Sequence, residues 1–250
     1  KEMKGFLFQQ SSPTPLEKLF ASGNVPLTAA LLTCYWENQA LSPTATSAIP
    51  SEGVTRLFSP QTLQNPHTLL SYIQFLLPTP HPSSKHKDHD LDDKNNALVF
   101  LLNAIQEATG DLPIVFFLKN LDLTTDNNQD CKETIINLIL HLETSDSQAL
   151  NEVMNGTDKD TNSSWHTIFT HLPDVLFEFP LHNRPLIVEE KGLITNTNGD
   201  TPLHCMARSP QFGAYFSTFC KPSLLIACLF QTNEQQESPL QLYIRFSKKN

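Results

Sequence analysis

Glycine is scarce in this sequence, with 8 glycines against 18 prolines among 250 residues. So few glycines argue against loops in which several glycines wrap a phosphate group, and many prolines favour frequent helix starts and stops. The sequence also lacks the short signatures of nucleotide-binding loops, zinc proteases, serine hydrolases and protein kinases. Its scattered Asp and Glu residues form no acid–base pair at a distinctive spacing. The sequence therefore predicts a protein that is not an enzyme and holds no cofactor.

Basic residues are also few, because 17 Lys and Arg stand against 26 Asp and Glu, for a formal net charge of −9. Binding to a nucleic-acid backbone needs clustered basic side chains, so the charge argues against that class of partner. It favours a protein partner that carries basic residues. No apolar run approaches the length of a membrane-spanning helix.

The five cysteines are scattered, odd in number and mostly placed in apolar runs. None of their spacings is that of a zinc site, so buried, reduced thiols are expected and with them a reducing, cytoplasmic compartment. They are Cys34, Cys131, Cys205, Cys220 and Cys228.

Short apolar segments with helical spacing alternate with polar turns along most of the chain. Helices of two or three turns are marginal alone and need neighbours to cover their apolar faces, so the pattern predicts an all-α fold of stacked helices. The predicted helices are LEKLFAS, PLTAALLTCYW, PHTLLSYIQFLL, ALVFLLNAIQEA, PIVFFLKNL, KETIINLILHLE, SQALNEVM, SSWHTIFTHL, PLHCMARS, PSLLIACLF and PLQLYIRF.

A repeating pattern is clearest in NTNGDTPLH, residues 196–204. NEQQESPLQ repeats it with Ser238 37 residues after Thr201, and DKDTNSSWH repeats it with Ser163 38 residues before Thr201. Weaker copies are DDKNNALVF at residues 92–100, QDCKETIIN at residues 129–137 and SPTPLEKLFASGN at residues 12–24. A fixed period of this length predicts stacked repeats, about five to seven of them.

The residues of NTNGDTPLH predict a turn that leads into a helix. Asn198 and Gly199 favour a turn with positive φ, Thr201 can cap the helix, and Pro202 suits its first turn. Leu203 is expected to pack inward between repeats. In the other copies Asn95, Thr161 and Gln236 stand where Gly199 does.

These residues resemble the ankyrin repeat family, whose unit is a β-turn finger followed by two antiparallel helices. The resemblance implies an ankyrin-type helical-repeat solenoid, with helix pairs, β-turn fingers and an irregular N-terminal third. It also implies that His204 is structural and hydrogen-bonds Thr and backbone in neighbouring turns. The expected organisation is irregular ankyrin-like helices over residues 1–77, a polar loop over 78–96 and a repeat array over 97–250, all in one elongated solenoid.

The resemblance further implies a monomeric, non-catalytic module for protein–protein interaction that binds its partner through a concave face. Binding residues are then expected beside the finger turn and late in the first helix of each unit. They are Thr197, Asn198, Asp200, Arg208 and Ser209; Glu234, Gln235, Glu237 and Arg245; and Gln10, Ser11, Pro13, Ala21 and Ser22.

The irregular repeats, together with a composition rich in Asn, Thr, Leu and Phe, resemble those of secreted bacterial effectors. This resemblance implies binding to a host or other cellular protein, in the cytoplasm of the cell itself or of a host cell. Because the chain starts with Lys1, we expect it to be part of a longer protein.

Two other interpretations concern possible chemistry. Cys34, followed by Tyr35 and Trp36, resembles the setting of cysteine-protease nucleophiles, although the residues that precede the nucleophile in that family are absent. A targeting domain attached to, or containing, a cysteine hydrolase centred on Cys34 therefore stays open as an alternative. A His- and Asp-rich segment is expected to be a solvated linker without a metal ion, since no helix face gathers its possible ligands. Those ligands are His81, His86, His89, Asp88, Asp90, Asp92 and Asp93.

Overall fold

The computed structural model describes residues 17–18, 62, 64–77, 89–123, 128–158, 160–179, 191–209, 212–213 and 229–248. The chain divides into two compact units, residues 1–153 and 154–250, here called the N-terminal and C-terminal units. The described part is 68% helical and contains no strand, which confirms the predicted all-α class.

Eight α-helices and one short 3-10 helix have bounds within the described residues. They are α1 Pro66–Leu76, α2 His89–Thr109, α3 Pro113–Asn120, α4 Gln129–Thr144, α5 Gln148–Asn155, α6 Ser164–His171, the 3-10 helix Pro173–Phe177, α7 Pro202–Met206 and α8 Pro239–Ser247.

Eight of the predicted helices are confirmed, because each overlaps one of α1 to α8. The predicted segments LEKLFAS, PLTAALLTCYW and PSLLIACLF lie outside the described residues, apart from Glu17, Lys18, Leu229 and Phe230, which are helical. The 3-10 helix Pro173–Phe177 was not predicted.

Helices α1 to α4 form the described core of the N-terminal unit. Helix α1 begins where the Asn65 side chain accepts the Thr68 N–H at 3.1 Å and Pro66 takes the first helical position. Helix α4 buries Ile135, Leu138 and Leu142 on one stripe, as a helix with one face against a core does. Helix α1 contacts α2, α3 and α4.

Helices α2 and α3 are the most apolar part of this unit. Residues 97–102 are buried without interruption, and so are residues 113–118 of α3, which marks α3 as covered on every side. No single described helix is long and apolar enough to cross a membrane. Only the pair Lys94–Thr109 and Pro113–Asn120, bent by 64° between its members, meets that criterion jointly.

The predicted polar loop over residues 78–96 is wrong for residues 89–96, which form the first turns of α2. Residues 89–96 contain no Gly or Pro, so nothing in this polar stretch prevents the helix from starting at His89. The two weaker repeat copies are wrong for a related reason. Asn95 lies inside α2 and Thr134 lies in the middle of α4, where its hydroxyl bonds to the Asp130 carbonyl instead of capping a helix. The copy at residues 12–24 lies outside the described residues apart from Glu17 and Lys18.

Three segments of the C-terminal unit each consist of a turn followed by a helix. They are the first, second and third turn-helix segments, residues 158–171, 196–206 and 233–247. In each, the first residue of the turn donates its N–H to the carbonyl of the fifth, and the fourth donates to the carbonyl of the first, with N···O distances of 2.9–3.0 Å. The sequence copies at residues 158–166, 196–204 and 233–241 therefore share one backbone conformation.

The helix of each turn-helix segment begins at a Ser or Thr cap. Thr201 accepts the backbone N–H of His204, and Ser238 accepts that of Gln241, so the predicted cap at Thr201 is confirmed. Pro202 occupies the first helical turn, as predicted. A second bond closes each cap, because the backbone N–H of the cap residue donates to the side chain three residues later. Those donors and acceptors are Ser163 to His166, Thr201 to His204 and Ser238 to Gln241.

The fourth turn residue has positive φ in all three segments: 57° at Thr161, 71° at Gly199 and 59° at Gln236. The predicted positive-φ turn at Gly199 is confirmed. A Cβ on Gly199 would lie 3.0 Å from the Glu234 backbone N of the next turn, so glycine also permits a close approach there. Thr161 is β-branched, and β-branched residues are poorly suited to a positive φ.

We expect Gly199→Ala to lower the free energy of unfolding by about 1–3 kcal/mol, because alanine is strained at this φ and crowds the next turn. Thr161→Gly, at the matching position of the first segment, should raise it by up to about 1 kcal/mol because it relieves the same strain. Urea unfolding followed by circular dichroism measures both. Equal effects of the two substitutions, in sign and size, would contradict this account of the turns.

Candidate protein-binding face

The turns of the C-terminal unit are joined edge to edge by backbone hydrogen bonds. The N–H of Thr197 donates to the Asp160 carbonyl at 3.2 Å, and the N–H of Glu234 donates to the Asn198 carbonyl at 3.0 Å. Both bonds run from the second residue of one turn to the third residue of the turn before it. The same connection thus holds successive segments together and fixes their register.

Asn196 and Asn233, the first residues of the second and third turns, add a side-chain connection. The Oδ1 atom of each accepts backbone N–H groups of its own turn, and its amide then donates to the preceding turn. Asn196 Nδ2 lies 2.7 Å from Asn162 Oδ1, and Asn233 Nδ2 lies 2.7 Å from Asp200 Oδ1. These two residues were not among the predicted functional or structural residues. Their identical position in the two aligned sequence copies was the available signal.

His166 and His204 provide a third connection, beneath the turns. The Nδ1 atom of each accepts the N–H of its own cap residue, so the ring proton is assigned to Nε2. His166 Nε2 donates to the Asp200 carbonyl and His204 Nε2 to the Glu237 carbonyl, both at 3.1 Å. The geometry confirms the structural role expected for His204.

Burial favours the neutral form of both of these imidazoles. Desolvation is the largest influence and lowers the pKa of His166 and of His204 below the ordinary value of 6.5, although carbonyl hydrogen bonds and nearby carboxylates act in the opposite direction. A protonated ring would lose its Nδ1 acceptor and leave the cap N–H unpaired. Protonation and the cap geometry are therefore incompatible.

Asp200, predicted to bind a partner, is only 6% exposed. Its carboxylate accepts from Asn233 Nδ2 and from Arg208 at 3.2 Å, and its carbonyl accepts from His166. The position beside the helix cap faces the next turn instead of solvent, and partner binding by Asp200 stays a prediction. Asp200 connects all three turn-helix segments.

The remaining predicted binding residues divide by their exposure. Thr197, Asn198, Glu234 and Gln235 are exposed at the turn tips. The Thr197 hydroxyl donates to the Asp160 carbonyl at 3.1 Å. Ser209 and Glu237 are half-buried. The five residues predicted in the first repeat lie outside the described residues. They are Gln10, Ser11, Pro13, Ala21 and Ser22.

Arg208 and Arg245 occupy the same position of successive segments, eight residues after the carboxylate that each one pairs with. Arg208 pairs with Asp200 and Arg245 with Glu237, while 47% and 49% of the two arginine side chains stay exposed. Because they are half in solvent, these ion pairs contribute little to stability. A guanidinium has five N–H donors, and one nitrogen of each arginine is paired with its carboxylate.

The described residues contain no candidate metal site, and both of their free thiols have a raised pKa. They contain no group of three or more His, Cys, Asp or Glu side chains that could hold a metal ion. Cys34 lies outside them. The Sγ atom of Cys131 lies 3.5 Å from His67 Nδ1, but burial and then the charge of Asp130 raise the pKa of this thiol. Burial also raises the pKa of Cys205 to about 11, so both thiols are protonated at neutral pH.

Asp200→Ala should lower the free energy of unfolding of the C-terminal unit by about 1–3 kcal/mol, because it leaves the buried Asn233 amide without its acceptor. Asn198→Ala, two residues earlier at the exposed tip, should change it by less than about 0.5 kcal/mol. Urea unfolding compares the two variants with the unsubstituted protein. A neutral Asp200→Ala would return Asp200 to the set of free binding residues.

The C-terminal unit should lose stability as the pH falls below about 6.5, because His166 and His204 bind protons in the unfolded chain and resist them in the folded one. His204→Gln removes one titrating group and keeps the cap, since Gln241 accepts the equivalent N–H through Oε1 at 2.8 Å. Urea unfolding between about pH 7.5 and about pH 5.5 should show a shallower pH dependence in this variant, by up to about 1.4 kcal/mol per pH unit. Parallel profiles would show that His204 is not the titrating group.

No protein-family model, curated protein or solved structure matches the chain.

Proposed function

We propose that the chain is a non-catalytic module for binding another protein, and that its C-terminal unit is an ankyrin-type stack of turn-helix segments. The observation that carries the proposal is the three-fold recurrence of one turn, cap and helix at spacings of 37 and 38 residues, with each turn bonded to the next. Stacked repeats of this kind present their turn tips as one continuous surface. The proposed binding face consists of Thr197, Asn198, Glu234, Gln235, Arg208 and Arg245.

The difference between side chains that bond to neighbouring segments and side chains that do not supports this choice of face. The side chains of Asn196, Asp200 and Asn233 join neighbouring segments, and these residues are buried or half-buried. Thr197 is exposed, although its hydroxyl also bonds to the Asp160 carbonyl of the preceding turn. The side chains of Asn198, Glu234 and Gln235 are exposed and make none of the hydrogen bonds that join the segments. Residues that carry no structural role can vary with the partner without cost to the fold.

The charges at the tips indicate the kind of partner. Asp160 and Glu234 are exposed acidic residues on the first and third turns. The arginines beside them are already paired with Asp200 and Glu237, so they add guanidinium donors with little net positive charge. This face therefore suits a protein segment with basic or polar side chains, in agreement with the net charge of −9.

The test replaces Asn198, Glu234 and Gln235 together with alanine and compares the proteins recovered from a cell lysate by the tagged chain. We expect a large loss of every specifically recovered protein, of at least about tenfold, because interface residues clustered at one face dominate affinity. Thermal unfolding by circular dichroism confirms that the variant stays folded.

A matched control replaces Gln64, Asn96 and Glu107, which are the same three residue types and are exposed in the N-terminal unit. This control should recover the same proteins as the unsubstituted chain. Equal losses in both triple variants, or no loss in either, would refute the proposed face.

A further inference from the structure

The three turn-helix segments contain five acidic residues, and three of these use their carboxylates within the segments. The carboxylate of Asp158 accepts N–H groups of its own turn, and those of Asp200 and Glu237 each pair with an arginine. The carboxylates of Asp160 and Glu234 make no hydrogen bond or ion pair with a described residue, and both residues are exposed. These two charges are therefore available to a partner.

The bonds between successive turns limit the distance between these two residues. Thr197 bonds to the Asp160 carbonyl at 3.2 Å, and Asn198 follows it in the chain. Glu234 then bonds to the Asn198 carbonyl at 3.0 Å. Residues bonded in this way have Cα atoms about 5.5 Å apart, and chain neighbours have Cα atoms about 3.8 Å apart, so the Cα atoms of Asp160 and Glu234 are no more than about 15 Å apart. These four residues are called the tip row here.

The side chains at the tips indicate the conformation of the partner, because all those that are described and exposed are polar. They are Asp160, Thr161, Thr197, Asn198, Glu234, Gln235 and Gln236. A helical partner docks its apolar stripe into an apolar groove, whereas an extended segment is recognised through alternate side chains. In an extended segment, residues four apart point to the same side and lie about 13 Å apart. This distance agrees with the separation of Asp160 and Glu234.

We propose that the tip row binds an extended segment of a partner protein that carries two basic side chains four residues apart. This inference rests on the proposed function and adds the chemistry of the partner to it. One basic side chain pairs with Asp160 and the other with Glu234. The residue midway between them points to the same side and faces Thr197 and Asn198, so it is polar. The net charge of −9 attracts such a segment before contact.

The two ion pairs select the spacing of the basic side chains but supply little affinity. Pairs between exposed charges are weak, so the loss of either carboxylate should raise the Kd by only about two- to fivefold. Salt screens exposed charges, so the Kd should also rise with ionic strength.

Fluorescence anisotropy of labelled peptides with the full 250-residue chain tests the spacing. The peptides share one composition, two arginines in a background of serine and glycine, and differ only in where the arginines stand. We expect the tightest binding when the arginines are four residues apart. Adjacent arginines, and arginines eight residues apart, should bind at least about twofold more weakly because only one of them meets a carboxylate.

Asp160→Asn and Glu234→Gln test the two carboxylates. Each substitution removes one charge, nearly preserves the shape of the side chain and leaves the backbone bonds between the turns intact. Each should raise the Kd of the best peptide by about two- to fivefold and abolish the preference for one spacing. Glu107→Gln is the matched control, because it removes the same charge from an exposed residue of the N-terminal unit. It should leave the Kd unchanged.

Four outcomes would overturn the proposal. They are no binding of any peptide, equal binding at every spacing, an equal loss in Glu107→Gln, and tightest binding at eight residues. The last would indicate a helical partner, since residues eight apart in a helix lie about 12 Å apart on nearly the same face.

A comparison with the alanine variant of Asn198, Glu234 and Gln235 separates this proposal from the proposed function. The chain with both Asp160→Asn and Glu234→Gln is used to recover proteins from the same cell lysate. If it recovers every protein that the alanine variant loses, the proposed binding face stands and the partner with two basic side chains is refuted. If the alanine variant itself loses nothing, the proposed face is refuted, whatever the peptides show.

Discussion

The structure of the C-terminal unit depends on one constraint, which is that each turn must satisfy its backbone polar groups through the next turn. A turn has few hydrogen bonds of its own, and buried N–H or C=O groups without partners are costly. The bonds from Thr197 to Asp160 and from Glu234 to Asn198 meet this need, and the imidazoles of His166 and His204 meet it one layer below. The spacing between segments, the ring tautomer of the histidines and the burial of Asp200 all follow from these bonds.

The same constraint separates structural from variable positions within each turn. A residue whose side chain bonds to the neighbouring turn, such as the buried Asn233 or the exposed Thr197, cannot change without loss of that bond. A residue whose backbone alone takes part, such as Asn198 or Glu234, can carry any side chain that tolerates an exposed turn. Binding specificity can therefore be altered at the tips while the bonds between segments stay intact. This independence is the physical basis for assigning recognition to the tips.

The sequence predicted the parts of this arrangement that depend on local chemistry. Thr201, Pro202 and Gly199 have intrinsic preferences for a cap, a first helical turn and a positive φ, and each takes that role. Asp200 could not be placed in the same way, because its burial depends on Asn233 and Arg208, which lie beyond its own turn. The weak copies around Asn95 and Thr134 share polar residues with the motif but lie inside α2 and α4. The absence of Pro and Gly does not by itself explain this, because the first segment lacks both and keeps its turn, in which Asp158 Oδ1 accepts the N–H groups of Asp160 and Asn162.

The first turn-helix segment shows how far the motif can depart from its clearest copy and keep its conformation. It has Thr161 in place of the turn glycine and Ser164 in place of the proline, and the buried Ser164 hydroxyl and Trp165 indole N–H have no described partner. Both departures cost local stability. Trp165 and Phe169 offset part of that cost, because they are fully buried and contact each other edge to face with ring centroids 6.1 Å apart. The bonds to the second segment use the backbone of Asp160 and the ring of His166, so they do not depend on the residues at positions 161 and 164. A degenerate repeat can thus keep its place in the stack as long as its connecting groups are preserved.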